Sequence, residues 1–142
     1  MESTLLGLVL DSSIVIDAER KEQTVEQLLA HIKERAGEIE IAICSVTLAE
    51  LVHGVYRANS PALRERRRAF IDELKRHVPV HPVTAETGEI MGRIGGEQAA
   101  RGIKIPFDDL AIGAAALEQG YAVATLNLRH FRTIPDLEVK QL

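Results

Sequence analysis

Four carboxylates in three places are the residues of this chain best suited to chemistry: Asp11, Glu50 and the adjacent pair Asp108 and Asp109. Asp11 closes the apolar run Leu5-Leu6-Gly7-Leu8-Val9-Leu10. Glu50 lies inside Ser45-Val46-Thr47-Leu48-Ala49-Glu50-Leu51-Val52-His53-Gly54, and the pair opens Leu110-Ala111-Ile112-Gly113-Ala114-Ala115-Ala116. Each acid stands at the edge of a segment that must be buried. If folding brings those edges together, like charges repel and disfavour ionisation unless a cation lies between them. Oxygen ligands without a His/Cys cluster suit Mg²⁺ or Mn²⁺ rather than zinc. A site of that kind points to a phosphodiester substrate.

The elements that must position these acids follow from the hydrophobic pattern. Residues 5–10 read as a fully buried strand, a short apolar run ending in Asp11-Ser12-Ser13, and 13–18 as a helical turn. Residues 24–36 form an amphipathic helix on Val25, Leu28, Leu29, Ile32 and Ala36, closed by Gly37. A second strand spans 39–46. Ser45 or Thr47 caps the next helix, which runs to about Ala58 with Leu48, Leu51, Val52 and Val55 buried. Ser60-Pro61 starts a helix to about His77. Pro79 and Pro82 leave 78–83 as a weak edge strand. Thr84 caps a helix to about Arg101, and a Gly- and Ala-rich helix runs from Phe107 to Gly120. Residues 121–126 form a strand, 127–131 a short turn or helix, and 138–142 a last strand.

Strands alternating with helices predict an α/β fold, a three-layer α/β/α sandwich around a central, mainly parallel sheet. Ligands of such sheets bind beyond the carboxyl ends of the strands, where strand order reverses. Asp11, Thr125 and Asn127 fall at such ends, and Glu50 follows one by a helical turn. Asp108 and Asp109 reach the same end only if the connection before them returns across the sheet.

With 142 residues, 46% of them apolar and 27% charged, the chain reads as one soluble domain over 1–142 with an aliphatic core. A net charge of −4 provides no global attraction for nucleic acid, so any such contact must rest on a local patch. The single cysteine, Cys44, has no internal disulfide partner and reads as a small buried hydrophobe in a reducing cytoplasm. The N-terminus has no positive cluster, and its apolar run is too short for a signal peptide or a membrane span.

Each candidate also has a plain structural reading. Asp after a strand is a common helix N-cap, and on position alone capping is the stronger reading of Asp11. Acids in a first helical turn are favoured by free N–H groups and the macrodipole, so one of Asp108 and Asp109 is expected to cap, while the same field keeps the other ionised. Glu50 shares a helix face with His53, Gly54 and Arg57, and Gly54 costs the helix roughly 1 kcal/mol against Ala. Its missing side chain could admit a neighbouring backbone or a substrate. Asn127 could hydrogen-bond a carboxylate or a bound water, and His130 could contact phosphate or pack beside Phe131. His53, His77 and His81 show no metal-binding spacing. The basic run Arg64-Glu65-Arg66-Arg67-Arg68 reads first as a solvated face and second as a phosphate-contacting patch.

Taken together, Val9-Leu10-Asp11-Ser12-Ser13, Val46-Thr47-Leu48-Ala49-Glu50-Leu51-Val52-His53-Gly54, Asp109-Leu110-Ala111-Ile112-Gly113-Ala114-Ala115-Ala116 and Val123-Ala124-Thr125-Leu126-Asn127-Leu128-Arg129-His130-Phe131 resemble the PIN-domain ribonucleases, specifically the VapC-like toxins of bacterial toxin–antitoxin pairs. Four weak pieces in order through nearly the whole chain make a specific signal. The resemblance places Asp11, Glu50 and Asp109 on the family's acidic metal-binding positions, and Thr125 and Asn127 on its Thr-x-Asn segment. Where the family often has a fourth acid, this chain has His130, which favours one tightly held ion over two; Asp108 is the nearest substitute charge. The resemblance further implies an RNA substrate, a homodimer and a small antitoxin that blocks the acidic pocket.

Two other readings compete with a metal-dependent endoribonuclease. One is a catalytically impaired PIN-like scaffold that binds RNA or a protein partner, supported by His130 and opposed by the intact Asp11, Glu50 and Asp109. The other is a different phosphoryl-transfer enzyme on a doubly wound sheet. The strand end Leu10-Asp11-Ser12-Ser13 lacks the second Asp of a haloacid-dehalogenase-type phosphatase, and no Gly-rich phosphate loop is present.

Overall fold

The computed structural model describes residues 5–142; the first four residues, part of the N-terminal reading above, lie outside them. Strands β1 (Gly7–Leu10), β2 (Glu40–Cys44), β3 (Val80–His81), β4 (Ala122–Thr125) and β5 (Val139–Gln141) form one sheet in the order β3-β2-β1-β4-β5. Every pairing is parallel, with Leu10 beside Ile43 on one flank and Ala124 on the other. The weak strand with its two prolines is a two-residue edge, as its missing N–H groups require.

Six helices cover the two faces: α1 (Ser12–Arg20), α2 (Val25–Ala36), α3 (Ser45–Tyr56), α4 (Pro61–His77), α5 (Ala85–Ala100) and α6 (Phe107–Gln119). Alternation along the strands divides the core in two. Leu8, Leu10, Ile41, Ile43, Ala122 and Ala124 pack with α1 to α4, whereas Val9, Cys44 and Val123 pack with α5 and α6. Among the described residues no helix is long and apolar enough to cross a membrane.

The local signals explain most helix starts. Thr24 and Thr84 form capping boxes, and Ser60 accepts from Leu63 N–H ahead of Pro61. Three expectations need correction. The turn after Asp11 is a nine-residue helix, because Ile14, Val15 and Ala18 find the core. Neither Ser45 nor Thr47 caps α3: Cys44 is its N-cap residue without a side-chain bond, and Ser45 Oγ accepts from Val83 N–H instead. Neither Asp108 nor Asp109 caps α6, whose N-cap residue is Pro106. Asp109 instead meets His130, and Asp108 meets the carboxyl of Glu50.

Strand order reverses between β1 and β4, so their carboxyl ends open a crevice. Residues 101–106, with Ile105 buried, deliver the start of α6 to that same end. Along α6, residues 110 to 116 are all buried, and a Cβ on Gly113 would come within 2.5 Å of the Ile134 side chain. The glycine therefore admits the segment after β4 rather than the sheet itself.

Candidate active site

Asp11 lies at the carboxyl end of β1, 7% exposed, and its N–H continues the ladder to Ala124 C=O at 3.0 Å. It is the N-cap residue of α1, as its plain structural reading expects, and it lies beside the other acids of the crevice. Its Oδ2 accepts from Thr125 Oγ1 at 2.5 Å and from Ser13 Oγ at 2.9 Å. Its Oδ1 faces Ser12 Oγ at 3.3 Å and Ser13 N–H at 3.4 Å. Ser13 Oγ also accepts from Leu126 N–H at 3.1 Å, which ties the start of α1 to the end of β4. The sequence reading assigned Ser13 no role. The signal was a hydroxyl two residues past an acid at a strand end, a spacing that favours local side-chain bonds.

Glu50 reaches the same crevice from the second turn of α3. Burial, then the charge of Asp108 and a hydrogen bond to its carboxyl, then the charges of Asp11 and Asp109, push the Glu50 carboxyl from an ordinary 4.5 to about 7. Its Oε1 is buried without a hydrogen-bond partner. Asp109 is also raised, by burial and the charge of Asp108, against the opposing bond to His130. His130 Nδ1 lies 2.9 Å from Asp109 Oδ2. The structure thus brings together Asp11, Glu50, Asp108, Asp109, Thr125 and His130.

Asn127 does not reach a carboxylate. Its Oδ1 faces Arg129 N–H at 3.4 Å, while its backbone N–H donates to Thr125 Oγ1 at 2.9 Å and its C=O lies 3.2 Å from that hydroxyl. Asn127 therefore shapes the turn that aims Thr125 at Asp11.

The basic run is mostly tied into the fold. Arg64 Nε donates to Ala58 C=O at 3.1 Å and Arg67 Nη1 to Gly54 C=O at 2.8 Å, so two guanidiniums hold carbonyls at the end of α3. Arg66 pairs with Glu19 at 2.9 Å, and Arg68 with Asp72 at 3.4 Å. No neighbouring backbone fills the space over Gly54; a cleft of about 140 Å³ opens there, lined by Glu50, Gly54, Arg67 and Phe70.

A divalent ion suits the residues of the crevice. The donors are all oxygen, and a buried Glu50 oxygen lacks a partner where three further acids repel it. The sets of three ligand atoms within 4.8 Å of one another among the described residues reduce to Glu26, Glu73 and His77, on α2 and α4. His77 thus joins a grouping that its sequence spacing did not reveal. Glu73 there already pairs with Arg76 at 2.6 Å and His77 at 2.9 Å. The crevice acids do not form such a set of three.

A family model described as PIN domain matches residues 8–137. The chain belongs to the PIN domain family. Among curated PIN-domain relatives, Ribonuclease VapC1 of Rickettsia felis is 32% identical over 134 residues, covering 94% of this chain and 95% of the relative. The tRNA(fMet)-specific endonuclease VapC of Shigella flexneri is 29% identical and covers 96% of this chain and 98% of its own. Among solved structures, VapBC2 from Rickettsia felis bound to a DNA fragment from its promoter matches with a TM-score of 0.82 at 24% identity, over 96% of this chain and 98% of the other. VapBC-1 from nontypeable Haemophilus influenzae matches with a TM-score of 0.78 at 22% identity, over 95% and 97%. At such identities the structural likeness is one of fold, and it agrees with the parallel five-stranded PIN sheet seen here.

Proposed function

We propose that this PIN domain is an endoribonuclease that hydrolyses RNA phosphodiester bonds with Mg²⁺ or Mn²⁺, and that it is the toxin of a toxin–antitoxin pair. The carrying observation is the partnerless buried oxygen of Glu50 among Asp11, Asp108 and Asp109. The ribonuclease names of relatives matched over nearly the whole chain support the reaction, and the VapBC complexes among its structural neighbours support an antitoxin partner.

Asp11, Glu50 and Asp109 would hold the ion, directly or through water. When bound, the ion supplies Lewis acidity to water and neutralises charge on the phosphate. Thr125 and Ser13 fix the direction of Asp11, and the Asn127 turn fixes Thr125. Glu50, whose carboxyl stands near 7 before any ion binds, would either share the ion or take the proton of the attacking water as the phosphorus–oxygen bond to the leaving nucleotide breaks. Asp108 maintains the field that keeps Glu50 there. The protein acts in the cytoplasm, as a single domain over 1–142 and as a homodimer.

The test is incubation of purified protein with structured RNAs and matched DNA in Mg²⁺, Mn²⁺ or EDTA. RNA fragments that appear only with a divalent ion are expected. Cleavage that survives EDTA would contradict the reading.

A further inference from the structure

An acid in the first turn of a helix keeps two free side-chain torsions, and as a metal ligand it must be aimed. Asp11 is aimed by three hydroxyls. Among the described residues Asp109 has one hydrogen-bond partner, the imidazole of His130. The backbone that carries that imidazole is well supported. The next residue, Phe131, is 2% exposed and anchors the turn in the core. The carbonyl of His130 accepts from Thr133 Oγ1 at 2.6 Å, and the carbonyl of Thr133 accepts from Nε2 of the buried Gln98 at 2.6 Å. A line of hydrogen bonds thus runs from α5 through the turn to the carboxylate on α6.

We propose that His130, braced through Thr133 by Gln98, is the positioning residue for Asp109. The inference rests on the reading of Asp109 as an ion ligand. An outer partner of this kind restricts a ligand's orientation, and its loss typically weakens metal binding roughly 10- to 100-fold.

The experiment is calorimetric titration of the full chain with MnCl₂ in a Glu26→Gln/Glu73→Gln background, which removes the surface grouping from the count. The protein with His130 intact should take one Mn²⁺. His130→Ala should take one about 10- to 100-fold more weakly. His130→Asn, which keeps a donor, should recover part of that loss. Melting curves confirm that each variant is folded. Unchanged affinity in His130→Ala overturns the inference alone. No Mn²⁺ binding by any folded variant overturns the metal reading of the site and this inference with it.

Discussion

Thr125 Oγ1 lies 2.5 Å from Asp11 Oδ2, a hydrogen bond that joins the carboxyl ends of β1 and β4 where strand order reverses. Both residues are buried, and Thr125 is fully so. A hydroxyl donating to a carboxylate in such a place is short and directional.

Thr125→Val keeps the shape and removes the donor. The loss should destabilise the fold by about 1 to 3 kcal/mol, since a buried acceptor loses a partner. RNA cleavage should fall at least about tenfold as Asp11 loses its aim. Thr125→Ser should recover most of both. Urea unfolding and a cleavage assay on the same preparations check this, and unchanged cleavage in Thr125→Val would count against it.

The raised carboxyl of Glu50 makes stability depend on pH. Between the ordinary value of 4.5 and about 7, the folded chain keeps a proton on Glu50 that the unfolded chain has released. Stability in EDTA should therefore fall as pH rises through that window, by on the order of 3 kcal/mol at most. Glu50→Gln should flatten the profile and make the protein more stable at pH 8. Denaturant titrations at half-unit pH steps would show it; a profile that rises from pH 5 to 7.5 in the unmodified chain is the contrary result.

Ion binding and that proton compete for one carboxylate. Mn²⁺ should raise the melting temperature, and the shift should grow from pH 5.5 to 7.5 as Glu50 loses its proton. At a free concentration a hundred times the dissociation constant, the gain is about 2.7 kcal/mol. A shift equally large at pH 5.5 would mean that Glu50 is not among the groups that meet the ion.

Arg67 serves the fold, through its bond to Gly54 C=O at 2.8 Å. Arg67→Ala should cost about 1 to 2 kcal/mol of stability and leave the salt dependence of RNA binding unchanged. A fall of about 0.7 in the slope of log affinity against log salt would instead reveal a lost phosphate contact with single-stranded RNA.

The sequence was most legible where local chemistry decides. The Thr84 cap, Ser60-Pro61 and the strongly periodic stripe of α2 lie where the patterns place them. It was least legible where tertiary contacts override a local preference. Asp108, Asp109, Ser45 and Thr47 all occupy positions suited to capping, and none caps its helix. The acids of α6 meet a site whose other members come from β1 and α3. The identities of Asp11, Glu50 and Asp109 could be read from their segments, but the bond from His130 to Asp109 spans elements whose approach depends on how residues 101–106 run. Two arginines of α4 were illegible for a related reason: the partners of Arg67 and Arg64, the carbonyls of Gly54 and Ala58, carry no sequence signature.

The central claim is that the acids at the carboxyl end of the sheet are the catalytic centre. The most direct measurement is RNA cleavage in Mg²⁺ by the unmodified protein, Asp11→Asn and Asp109→Asn, each shown to be folded by circular dichroism. Each substitution removes one charge and changes little of the shape. Cleavage that is lost in both variants while their melting curves stay cooperative is the predicted result. Cleavage that persists at the unmodified rate in either variant would contradict the claim and place the chemistry elsewhere.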